Sequence, residues 1–379
     1  MDSFLRYARA HRREIIETVR EFVECESPSD DAPSVNRFSE LLIERAGPET
    51  RVRRYPGGRF GKHVRIEFRL PGKRKEGQIL ALGHSDTVWP LGTLRSMPYR
   101  EAKGRLWGPG VFDMKAGLAF WIFAMRALRE MDVPVGRGVV LQVNSDEEVG
   151  SESSRGLTEK AARQSVAVLV LEPSTGLEGK LKTARKGVGD YTVTVRGRAS
   201  HAGVDFASGA SAILEMSRQL ERIALFTRLD RGITVSPGVI HGGTRSNVVP
   251  AECVAEIDIR IPRAADGRYL ARCFASLKPF DKRCTMEVTG GVNRPPMERS
   301  SGGRKLFAKA KSLAEEMGVE LEESSTGGGS DGNFTAALGV ATLDGLGAVG
   351  EGAHAVHESI LIDRIADRTA LLAKLVAAL

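Results

Sequence analysis

Three short apolar runs constrain this chain most, because each stops at side chains of the kind that bind metals. Residues 78–83 (QILALG) end at His84-x-Asp86, residues 138–143 (GVVLQV) run into Asn144-Ser145-Asp146-Glu147-Glu148-Val149-Gly150, and residues 166–171 (VAVLVL) deliver Glu172-Pro173. Apolar runs of this length bounded by turn residues read as buried strands. In an open α/β sheet the ligand site lies at the carboxyl ends of the strands, so His84, Glu147, Glu148 and Glu172 are expected to converge there.

Taken singly, a His-x-Asp at a strand end is more often a polar turn, and paired glutamates are more often a solvated helix start. Repetition of the pattern overturns the first of these readings. An apolar helix is predicted over residues 115–129, and Asp113 sits just before it, where free backbone N–H groups favour a carboxylate; a plain helix cap is the alternative. With His354 or His357 from His354-x-x-His357-Glu358, the set His84, Asp113, Glu148 and Glu172 offers imidazole and carboxylate donors without cysteine. That chemistry suits Zn2+ or a similar hydrolytic cation, and the donors outnumber what one open catalytic zinc needs. They suit two ions roughly 3.5–4 Å apart that share a carboxylate, and Asp113 is the natural bridge. From an extended backbone Glu147 and Glu148 diverge, so one is expected to ligate and the other to face the water, where a carboxylate can exchange protons. A ligating histidine usually donates its other ring N–H to an acceptor, and Asp86 is well placed for that.

At 379 residues the chain exceeds one typical core and allows a large domain plus a smaller one. Its 41% apolar and 27% charged residues are those of a soluble globular protein. The net charge of +7 is spread through Arg51-Val52-Arg53-Arg54, Lys73-Arg74-Lys75 and single positions, with no aromatic-interleaved basic stripe, so no nucleic-acid partner is expected. No run approaches the roughly 20 apolar residues of a membrane span. The opening helix is too charged for an export signal, which makes the cytoplasm the expected compartment. Cys25, Cys253, Cys273 and Cys284 lack C-x-x-C spacing and read as reduced thiols.

Along the chain, one amphipathic helix is predicted over residues 3–24, a second over 35–45, and strands over 63–68 and 78–83. From about residue 187 the character changes: strands near 190–195, 234–240 and 254–259 and a helix near 208–227 read as an α+β insert of roughly 110 residues. Asn293-Arg294-Pro295-Pro296 punctuates its end. Helices near 305–316 and 364–379 and the run Gly327-Gly328-Gly329 follow. The expected division is residues 1–186 and 295–379 as the catalytic domain and 187–294 as the insert.

These motifs, with Ala199-Ser200-His201-Ala202-Gly203, occur in the order found in the M20 family of dinuclear zinc peptidases and deacylases, which the chain resembles over about residues 80–363. It looks most similar to the glutamate carboxypeptidase, or carboxypeptidase G2-like, branch. The resemblance implies an α/β fold: a mixed-sheet catalytic domain of the zinc-exopeptidase type with an inserted α+β, ferredoxin-like lid and dimerisation domain. It implies two Zn2+, or Co2+ or Mn2+, with His84, Glu148 and bridging Asp113 on one ion and Glu172 and His354 completing the arrangement, His354 being preferred over His357. It further implies Asp86 as the orienting residue, Glu147 as general base, a cis Asp113–Met114 bond, and His201 as a stabiliser of the oxyanion. Asn247, Arg245, Arg260 and Gly329 resemble positions that hold the substrate; for Arg260 a surface ion pair is the competing reading. The implied activity is hydrolysis of an amide by metal-activated water, releasing a C-terminal, glutamate-like amino acid from a peptide or N-acyl amino acid, in a homodimer formed through the insert. The rivals are an N-acyl amino acid deacylase of the acetylornithine or succinyl-diaminopimelate type and a non-catalytic carboxylate-binding relative.

Overall fold

The computed structural model describes residues 2–73 and 75–379; Arg74, within the basic run noted above, lies outside the described residues. The chain divides into two compact units. The first comprises the segments up to Ala184, Arg299–Thr326 and Ser330–Leu379, and the second Arg185–Glu298 with Gly327–Gly329. The glycine run thus groups with the second unit, whereas sequence alone put residues 295–379 in one piece.

The first unit is built on a mixed sheet of β1 (Thr50–Pro56), β2 (Lys62–Phe68), β3 (Gln78–His84), β4 (Gly138–Asn144) and β5 (Ser165–Val170), in the order β1-β2-β4-β3-β5, with the short strand Thr342–Leu343 beyond β5. β3 pairs in parallel with both β4 and β5, so the carboxyl ends of these three strands share one edge. β3 and β4 are buried almost throughout, as central strands covered on both faces must be. The helix Ala116–Glu130 is buried nearly all round, with Trp121 and Leu118 fully enclosed, and packs on the closing helix Ile365–Ala378. At its start, a Cβ on Gly117 would lie 2.3 Å from the Leu171 carbonyl, so only glycine lets the helix approach the end of β5 this closely.

Two local expectations needed correction. The first helix is broken into Ser3–Ala10 and Arg12–Glu24 at His11, whose Nδ1 lies 2.9 Å from the Tyr7 carbonyl and whose ring stacks on Tyr7. β1 was missed because its sequence, TRVRRYP, is that of a charged, largely exposed edge strand rather than an apolar run.

The second unit has the order strand, helix, two strands, helix, strand: β6 (Gly187–Arg196), Ala212–Ala224, β7 (Thr234–Gly242), β8 (Glu252–Ile261), Ala264–Ala275 and β9 (Thr285–Arg294). Its antiparallel sheet runs β7-β8-β6-β9, a ferredoxin-like arrangement. Alternate residues of β6 and β8, among them Tyr191, Val193, Ile257 and Ile259, face the core, where Tyr191 stacks on Phe274. All four cysteines are free thiols.

Candidate active site

Because β3 and β5 are neighbours, His84 and Glu172 leave adjacent strand ends: His84 Nε2 lies 3.5 Å from Glu172 Oε1. Asp113, after a cis bond to Met114 is counted, sits just before the helix Ala116–Glu130 and divides its oxygens. Its Oδ1 is 3.1 Å from His84 Nε2, and its Oδ2 is 3.5 Å from His354 Nε2. His354 Nε2 is in turn 3.2 Å from Glu148 Oε2. Two triads result, His84–Asp113–Glu172 and Asp113–Glu148–His354, each with donor atoms within 4.8 Å of one another, and Asp113 belongs to both.

The five residues come together, but not in the grouping that the resemblance implied. Glu148, expected beside His84, pairs with His354, while Glu172 pairs with His84. The reason lies in the sheet: β5 abuts β3 directly, whereas Glu148 stands four residues beyond the end of β4, carried away by the turn Glu147–Val149. That turn is a 3-10 helix, not the extended backbone assumed from sequence, yet successive side chains still diverge in it. His354 has φ of 62°, a left-handed backbone rare for a side chain of its size, and His357 is in neither triad.

Asp86 does something the sequence did not suggest. His84 Nδ1 lies 2.9 Å from the backbone carbonyl of Asp86, while the Asp86 Oδ1 is 3.6 Å away. The carboxylate instead accepts from the amides of Glu147 (3.2 Å) and Glu148 (3.1 Å) and from Ser29 Oγ (2.8 Å). It therefore fixes the turn that aims both glutamates, while its main-chain carbonyl accepts from the imidazole. Asp146 braces the same turn from below, accepting from Ser153 and Ser154.

Glu358, the last residue of His354-x-x-His357-Glu358, has a role that the sequence does not reveal. Buried completely, it accepts from Trp89 Nε1 (2.8 Å) and from the amides of Gly110 (2.9 Å), Phe112 (2.8 Å) and Asp113 (3.0 Å). Burial pushes its pKa up to about 7 against these donors, which favour the charged form. The carboxylate thus holds the loop that presents Asp113. Nothing in the sequence marks this, since donors and acceptor lie some 250 positions apart.

The donor set fits a pair of divalent cations. Three carboxylates face two imidazoles, and Glu148 Oε1 is buried with no hydrogen-bond partner among the described residues. Burial disfavours a charged His84, yet its bonds to Asp113, Asp86 and Glu172 prevail and hold its pKa well above the ordinary value. Hydrogen bonds to Asp113 and Glu148 raise His354 to about 10. Burial likewise raises Glu148, with the nearby Asp113 charge adding to it. Ligation needs the ligating nitrogen of each ring free of its proton, so these shifts tie cation binding to proton release.

The remaining predicted residues belong to the second unit. His201 is exposed, its Nδ1 accepting from the amides of Gly203 and Val204. Arg245 and Asn247 are exposed in the loop before β8. Arg260 forks onto Asp258 at 2.9 and 2.8 Å, the ion pair that was its competing reading. Gly329 is closely packed, since a Cβ there would lie 2.8 Å from Arg294 Cδ; its carbonyl accepts from Arg185.

Residues 80–378 match the model of peptidase family M20/M25/M40. The chain belongs to this family. Carboxypeptidase G2 of Pseudomonas sp. (strain RS-16) is 28% identical over 377 residues, covering 96% of this chain and 88% of that protein. Succinyl-diaminopimelate desuccinylase of Azoarcus sp. (strain BH72) is 28% identical over 301 residues, covering 75% and 78%. Among solved structures, aminopeptidase PepT of Bacillus cereus matches with a TM-score of 0.79 at 22% identity, over 97% of this chain and 98% of that one, which establishes the fold. The M20 chain is therefore a hydrolytic enzyme. Among its described residues no helix is long and apolar enough to cross a membrane.

In this M20 enzyme, Glu358→Gln is expected to weaken affinity for an added divalent cation such as Zn2+ by about 10–100-fold, the usual effect of losing a partner that orients a ligand. Competition with a chelating dye reads this directly. Unchanged affinity would show that the Glu358 cradle does not set Asp113.

Proposed function

We propose that the enzyme hydrolyses an amide bond next to a free carboxylate, releasing a C-terminal amino acid such as glutamate from a peptide or N-acyl amino acid. The observation that carries this reading is the shared carboxylate of Asp113, with one oxygen toward His84 and the other toward His354. His84, Asp113 and Glu172 would hold one cation and Asp113, Glu148 and His354 the other, Zn2+ or else Co2+ or Mn2+. Bound there, such ions supply Lewis-acid polarisation of the amide carbonyl and lower the pKa of water. Glu147, next to the ligand Glu148, takes the proton from the attacking water and returns it to the leaving nitrogen. Asp86 keeps Glu147 in register by accepting its amide.

Further roles follow the resemblance to the family. His201 stabilises the oxyanion, and Asn247, Arg245, Arg260 and Gly329 hold the substrate; Arg260 would exchange Asp258 for the substrate carboxylate. The insert serves as lid and dimer contact. Supporting the latter, β7 is an edge strand exposing Val239 and Ile240, and the neighbouring helix exposes Leu214. The second reading is a deacylase of the succinyl-diaminopimelate type, supported by a relative with the same 28% identity as carboxypeptidase G2 over a shorter span, 301 against 377 residues.

The test is to load the protein with zinc and offer a panel of dipeptides and N-acyl amino acids, following release of free amino acid. Release from substrates with a free carboxyl terminus, and little from their amidated counterparts, is expected. Release of the N-terminal residue from C-terminally blocked peptides would contradict the reading.

A further inference from the structure

We infer that the acyl side of the substrate is a bulky apolar group, received by a cavity beside Glu148; the inference rests on the amide-hydrolase reading. The cavity measures about 590 Å³, within the usual range of small-molecule sites, and Glu148 forms part of its wall. It lies wholly in the first unit. Through Glu148, a group placed there lies beside one member of the donor cluster that Asp113 shares.

Its lining decides the chemistry. Phe60, Val88 and Val149 supply apolar walls, and two of them are large side chains left in water, Val88 at 41% and Val149 at 50% exposure. Single exposed valines mean little, but two flanking one cavity at a charged centre mark a surface that a ligand covers. The Arg59 guanidinium lies over the Phe60 ring at 4.7 Å, and Asp30, of opposite sign, is also in the lining. With Glu148 committed to a cation, Arg59 and Asp30 leave the walls without net charge. A succinyl group would bring its anion beside Asp30 and a largely apolar wall, and an acetyl group would leave both valines exposed. An acyl chain of about eight carbons, or an aryl group of similar size, fits within the volume and covers that apolar surface.

The test uses N-octanoyl, N-acetyl and N-succinyl derivatives of one amino acid with the zinc-loaded enzyme. The octanoyl substrate is expected to exceed each of the others in kcat/KM by at least about tenfold, in the range that apolar pockets give. Val88→Asp, at an exposed position that folding tolerates, should lower the octanoyl-to-acetyl ratio by about tenfold or more, chiefly through KM, and Phe60→Ala should lower it too. Calorimetry with the Glu147→Gln protein gives a readout independent of turnover, and the octanoyl compound should bind at least about tenfold more tightly than the acetyl. Equal or better use of the acetyl or succinyl substrate overturns the inference, as does a ratio that neither substitution moves. Preferential binding of the octanoyl compound without hydrolysis of any would support the pocket and overturn the amide-hydrolase reading.

Discussion

Glu147→Gln should keep its full complement of zinc and lose at least about 100-fold in kcat, the lower end of what a positioned general base contributes. The two glutamates of this turn are separated by their surroundings. Glu148 has one oxygen 3.2 Å from His354 and the other buried without a hydrogen-bond partner among the described residues, a position suited to a cation. Glu147 is in neither triad, although Asp86 holds its amide as firmly as that of Glu148. A glutamine there preserves size and the turn while removing the group that accepts a proton. Metal content read alongside turnover separates this loss from a damaged centre. Unchanged kcat would remove Glu147 from the mechanism.

The largest loss is expected from Asp113→Ala, at more than about 1000-fold in kcat/KM, equivalent to roughly 4 kcal/mol of transition-state stabilisation. Both oxygens of this carboxylate are used, one on each side of the cluster, so removing it strips a donor from each triad at once. Zinc should raise the melting temperature of the wild-type protein, because it binds the folded state, and should raise that of the variant far less. A variant that retains both the zinc-dependent shift and the activity would show that Asp113 is not the bridge. Far-UV circular dichroism serves as the control for folding.

How much of this was legible in the sequence follows from the range of the forces involved. The apolar runs that became β3, β4 and β5 carry their burial in composition, and their ends fall where the apolar residues stop. His84 and Glu172, delivered directly by strand ends, could therefore be named before the fold was known. Their pairing could not, because it depends on β5 lying beside β3, a matter of sheet order. The same holds for Asp86: its spacing from His84 suggested a side-chain contact, but the amides of residues about 60 positions away captured the carboxylate. Glu358 shows the limit most clearly, as a buried acceptor whose four donors all come from residues 89–113. In the second unit, the alternation of β6 was readable, whereas the partner of Arg260 was decided by Asp258, two residues away on the same face of β8.

The central claim is that a pair of cations sits astride Asp113. Anomalous diffraction at the zinc edge, from crystals grown with zinc, tests it directly. Two peaks roughly 3.5–4 Å apart are expected, one contacting His84 and Glu172 and the other Glu148 and His354, with Asp113 between them. A single peak, or zinc bound away from both histidines, would contradict it.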